Sequence, residues 1–93
     1  MQAEDVLKEI VRLCEKYGAR QAVLFGSRAK GTAQERSDFD IAVSGVQAFE
    51  ELQEELEDLP TLYSIDLVDL DTCGNTLLLE DIVEYGRKIY EKV

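Results

Sequence analysis

Histidine is absent from this chain of 93 residues, which removes the usual general base at neutral pH and the commonest zinc ligand. Lysine and arginine are absent from Ser37 through Gly86, a stretch that holds fourteen Asp and Glu, and the whole chain carries a formal net charge of -10. Phosphate backbones are gripped by clustered basic side chains, so nucleic acid is excluded as the main partner. A basic protein surface is the complementary choice, while solubility alone also accounts for many of the acids. No apolar run approaches the roughly 20 residues of a membrane-spanning helix, and the N-terminus lacks a signal peptide's apolar region. Cys14 and Cys73 are the only cysteines. They read as buried thiols in a reducing compartment rather than a disulfide, and the expected location is the cytoplasm.

Against these absences stands one dense polar segment. Gln21 to Phe25 is a short apolar run stopped by Gly26, the pattern of a buried strand breaking into a turn. Ser27-Arg28-Ala29 is expected to open a short helix. Free backbone N–H groups at such a turn suit phosphate oxygens, with the Ser27 hydroxyl and the charges of Arg28 and Lys30 beside them. Asp38 and Asp40 lie at the start of a second apolar run, Phe39 to Val43. The two-residue period of a strand puts both carboxylates on one face, with Phe39 and Ile41 on the other.

Two carboxylates so close repel unless a cation neutralises them. Magnesium fits, because it takes oxygen ligands from one or two carboxylates plus substrate phosphates, and two such ions clamp an in-line displacement. A third carboxylate is expected from Asp66, inside the apolar run Leu62 to Leu70, where an unpaired charge is costly. Asp69 and Asp71 are less constrained. Taken singly, an Asp-x-Asp also fits a solvated strand edge or a helix cap, Ser27 a turn hydroxyl, and Arg28, Lys30 and Arg36 loop solubility. Asp66 also fits a strand-end charge reaching water.

The rest of the chain reads as packing. Helical spacing of Val6, Leu7, Ile10, Val11, Leu13 and Cys14 predicts a helix over Ala3 to Tyr17, stopped at Gly18. A second amphipathic helix is expected over Val46 to Leu59, with Phe49, Leu52 and Leu56 inward and Pro60 as terminator. A last helix begins near Asn75, a good N-cap, with Leu77, Leu78, Ile82 and Val83 as its apolar side. Arg87 to Val93 suits a short edge strand. Tyr63, Tyr85 and Tyr90 read as amphipathic packing residues.

The segment Leu24-Phe25-Gly26-Ser27-Arg28-Ala29-Lys30-Gly31-Thr32-Ala33 with Ser37-Asp38-Phe39-Asp40-Ile41-Ala42-Val43 resembles the signature of the minimal nucleotidyltransferases, the smallest members of the DNA polymerase beta-like superfamily. The resemblance covers most of the chain and includes the closing Glu84-Tyr85-Gly86-Arg87-Lys88-Ile89-Tyr90. It implies an α/β (α+β) fold, a mixed β-sheet flanked by helices, in a single domain over 1–93. It also implies that Gly26 and Ser27 hold the triphosphate of ATP, while Asp38, Asp40 and Asp66 hold magnesium, two ions being expected. Arg28 or Lys30 would offset charge on the leaving pyrophosphate. Family members of this size often pair with a small helical protein of the HEPN (higher eukaryotes and prokaryotes nucleotide-binding) class as toxin and antitoxin. The leading expectation is therefore an antitoxin that transfers AMP from ATP to a hydroxyl, a tyrosine foremost, of that partner. An antitoxin that neutralises by binding alone stays open, as does a homodimeric enzyme acting on a small molecule.

Overall fold

The computed structural model describes residues 2–31 and 37–92. Its elements follow the order α1 (Ala3–Lys16), β1 (Gln21–Phe25), α2 (Ser27–Lys30), β2 (Phe39–Ser44), α3 (Phe49–Glu57), β3 (Ile65–Asp69), α4 (Thr76–Tyr85) and β4 (Arg87–Glu91). The strands form one sheet in the order β3-β2-β1-β4. β1 runs antiparallel to both β2 and β4, whereas β2 and β3 are parallel. The expected mixed sheet flanked by helices is thus present, with β4 at one edge and β3 at the other.

Alternation along the strands sorts the core into two layers. Leu24, Phe39, Ile41 and Val43 pack with Val6, Ile10, Leu13 and Cys14 of α1 and Leu52 and Leu56 of α3. Phe25 and Ala42 pack on the opposite face with Ile82 of α4, flanked by Val23, Val68, Leu70 and Leu78. The parallel β2 and β3 need a crossover rather than a hairpin, and α3 provides it. α4 is capped by Asn75, whose Oδ1 accepts from Leu78 N at 3.1 Å. It then ends at Gly86, where a Cβ would fall 2.2 Å from the Ile82 carbonyl oxygen and 2.7 Å from Val23 Cγ1. Close packing of α4 on β1 therefore needs glycine at that position.

Several boundaries differ from the sequence reading. β3 begins at Ile65 rather than Leu62; Leu62 is 98% exposed, because Pro60 and the turn after α3 keep the chain off the sheet edge. α3 starts at Phe49 rather than Val46, and α1 ends at Lys16. Of the expected apolar side of α4 only Ile82 is buried, while Leu77 and Val83 are 78% and 85% exposed. Cys14 is buried as expected, but Cys73 is half-buried, and both are free. Among the described residues no helix is long and apolar enough to cross a membrane.

Candidate functional site

Gly26, Asp40 and Asp66 lie at one end of the sheet, with the two carboxylates on the face that carries α4. β1 breaks at Gly26, which has a φ of +75°, a conformation that costs glycine little and other residues much. Asp40 pairs with Phe25 across β1 and β2, so its side chain points to the α4 face beside that break. A Cβ on Gly26 would fall 2.3 Å from Asp40 Oδ2. The glycine is therefore what leaves room for the carboxylate.

Asp40 and Asp66 are direct neighbours in the parallel register of β2 and β3, and equal parity puts both on one face. Asp40 is pushed above the ordinary aspartate range, chiefly by partial burial, then by the negative charges of Asp66 and Asp38 and a hydrogen bond shared with Asp66. At about 5 Å, one strand spacing, two unit negative charges repel by roughly 1–3 kcal/mol between the dielectric of water and that of a protein surface. Every influence on Asp40 raises it. Among the described residues no positive charge acts on Asp40, and the all-oxygen donor set of the pair matches a hard divalent cation.

Asp38, Asp40 and Asp66 lie near one another at this end of the sheet. Among the described residues no three acidic or cysteine side chains form a ready cation site. Asp38 lies one residue before β2 and is exposed, so no strand pairing fixes its side chain. It stays near enough for its charge to act on Asp40. Asp66 is also exposed, at the outer edge of the sheet, which corrects the expectation of an apolar burial for it. Arg36 lies outside the described residues.

The cations of the signature are engaged within the chain. Arg28 donates to the Ser37 carbonyl oxygen from Nε and Nη2, at 3.0 and 2.8 Å. Lys30 Nζ sits 2.9 Å from Asp81 Oδ1 of α4 and 4.9 Å from the ring centroid of Tyr85, and Asp81 raises its pKa. Ser27 opens α2 as expected. The sequence reading missed Asp81, because nothing in helical periodicity says which element a helix's acid faces. It also read Asp71 as less constrained than Asp66, whereas Asp71 Oδ2 accepts from Gly45 N at 2.8 Å, tying the exits of β2 and β3 together.

Comparison with known proteins adds to this geometry. The family model described as "Polymerase beta, Nucleotidyltransferase" matches residues 8–93. A toxin–antitoxin crystal structure with AMP-PNP is 29% identical, with a TM-score of 0.73 over 92% of this chain and 73% of that one. The toxin–antitoxin MntA-HpeT, in a variant with two aspartates two positions apart changed to glutamate, is 26% identical with a TM-score of 0.72 over 92% and 73%. A protein described as a minimal nucleotidyltransferase is 26% identical with a TM-score of 0.70, over 94% of this chain and 95% of that one. A search of curated proteins returns no match.

Proposed function

The chain belongs to the polymerase beta nucleotidyltransferase family, and on that premise we propose that it transfers AMP from ATP to a hydroxyl, foremost a tyrosine, of a small helical HEPN-type partner, acting as its antitoxin. The observation that carries this reading is the adjacent carboxylate pair Asp40 and Asp66, with Asp40 held against a glycine whose missing Cβ leaves room for it. Two similar chains support the nucleotide and the partner class: one structure is of a toxin–antitoxin with AMP-PNP, and another carries paired aspartate substitutions at the spacing of Asp38 and Asp40.

In this reading Asp40 and Asp66 hold magnesium, with Asp38 drawn in to complete the oxygen set. Bound magnesium supplies neutralisation of carboxylate and triphosphate charge and polarises the phosphate oxygens. Gly26 lets the triphosphate approach the backbone, and the Ser27 hydroxyl lies at the same turn. Lys30 reaches the leaving pyrophosphate only by giving up Asp81. The acceptor oxygen attacks the α-phosphorus, forming the new P–O bond as the bond to pyrophosphate breaks and its electrons leave with pyrophosphate. The acceptor proton passes to Asp66, the exposed carboxylate at the sheet edge and, with no histidine in the chain, the group best placed to act as base.

A second reading, neutralisation by binding alone, draws on α4, where exposed Leu77 and Val83 stand beside Glu80 and Glu84. Incubation with ATP labelled on the α-phosphate, magnesium and lysate of the source cell separates the two. A labelled protein band with the native chain and none with an Asp38→Ala, Asp40→Ala double variant is the expected result. No label from either chain, with a small helical partner still co-purifying with both, would favour binding alone.

A further inference from the structure

Arg28 carries the charge of a phosphate ligand, yet its guanidinium faces the protein. Besides its two hydrogen bonds to the Ser37 carbonyl oxygen, its Cζ lies 4.1 Å from the ring centroid of Phe39 and 5.1 Å from that of Tyr63. The two rings meet edge to face, 5.4 Å apart at 81°. Three segments come together on this one side chain: α2 directly after Gly26, the Ser37 approach to β2, and the stretch before β3. Each of the three leads into a member of the candidate site.

We infer that Arg28 is a positioning residue, which sets Asp38 beside Asp40 by clamping the Ser37 carbonyl and seating on Phe39 and Tyr63. The inference rests on the reading of Asp38 as part of the nucleotide and metal site. The Ser37 carbonyl belongs to the planar peptide unit that ends at the Asp38 Cα, so holding that oxygen fixes the plane from which the Asp38 side chain departs. Asp38 needs such an external hold, since it stands outside the strand and is exposed. Buried Phe39 keeps the seat fixed. A flat guanidinium can donate twice to one oxygen while stacking on aromatic faces, whereas an ammonium is a point charge that cannot do both. A phosphate-binding role for Arg28 predicts that lysine substitutes well; a clamp predicts that it does not.

Two measurements on the native chain, Arg28→Lys and Arg28→Met test this. Backbone amide order parameters at Asp38 are taken from nitrogen-15 relaxation without metal, and Mn2+ binding is titrated by electron paramagnetic resonance. The expected result is an Asp38 order parameter falling from about 0.85 toward about 0.6 in both variants. Mn2+ binding is expected to weaken about tenfold in both, with no rescue by lysine. Native order and Mn2+ affinity in Arg28→Lys would overturn the clamp, as would an Asp38 amide as rigid in Arg28→Met as in the native chain. If Arg28→Met fails to fold, Arg28→Lys carries the test. If the native chain binds no Mn2+, the metal-site reading fails, and the order parameters still decide the clamp.

Discussion

Gly26 and Asp40 share one space: the position a Cβ would take on Gly26 lies 2.3 Å from Asp40 Oδ2. Gly26→Ala therefore forces the carboxylate away as well as placing alanine at a φ of +75°. Thermal or urea unfolding is expected to show a loss of about 1–3 kcal/mol, and calorimetric titration a loss of magnesium–ATP binding. A variant that binds as the native chain does would mean that the glycine serves only the turn.

The raised pKa of Asp40 fixes the sign of a pH effect. A carboxyl raised in the folded state contributes stability while protonated and loses that contribution as pH rises through the raised value. Asp40→Asn should accordingly be more stable than the native chain at neutral pH, with the difference closing as pH falls below the ordinary aspartate range. Urea unfolding between about pH 7 and about pH 3 reads this directly. Magnesium at neutral pH should stabilise the native chain more than the variant.

Asp66 is assigned the proton, and the assignment separates chemistry from binding. Asp66→Asn is expected to lower transfer at saturating magnesium–ATP by at least about 100-fold, a loss in kcat that stands apart from the weaker magnesium–ATP binding that removing a metal ligand brings. Undiminished transfer would move the base to another carboxylate.

Gly86 is held by packing alone, since its backbone angles suit any residue. Gly86→Ala drives a methyl against the Ile82 carbonyl and Val23, with an expected cost of about 1–3 kcal/mol. Arg87 pairs with Leu24, so Gly86 lies at the Phe25 end of β1, the same end as Gly26 and Asp40, and ATP binding by the surviving folded fraction, read by calorimetric titration, should weaken with it.

The two thiols should differ in reactivity. Burial pushes Cys14 up to about 11, and the thiolate is the reactive form. Iodoacetamide at about pH 8 should modify Cys73 alone in the folded chain and both cysteines in urea, as counted by mass spectrometry.

Much of this architecture was legible because it rests on period and punctuation. The Val6, Ile10, Leu13 stripe gave α1, and the Gly26 break and alternating Phe39, Asp40, Ile41 gave the two strands with Asp40 turned from the core. Asp66 was identified as a residue near Asp40 but not in its true environment, because hydropathy around Ile65 and Leu67 reports their burial and says nothing of an edge beside Asp66. The engagement of Lys30 by Asp81 and of Arg28 by Ser37, Phe39 and Tyr63 was illegible, since each depends on tertiary approach between segments that sequence spacing leaves independent. The surplus of apolar residues in α4 was visible, but which of them meet the sheet depended on how the helix is rolled against β1.

The parallel pairing of β2 with β3 has a consequence for chain length. The register places Asp66 beside Asp40 whatever path joins the two strands, so the carboxylates answer to hydrogen bonds between strands and not to the distance along the chain. Residues added at the turn after α3, around Asp58 to Pro60, lengthen a surface connection at a cost that grows only slowly with loop size, and they leave the carboxylate pair where it is. That turn is a point at which the fold can take on new sequence, and with it new contacts for an acceptor, without altering its chemistry.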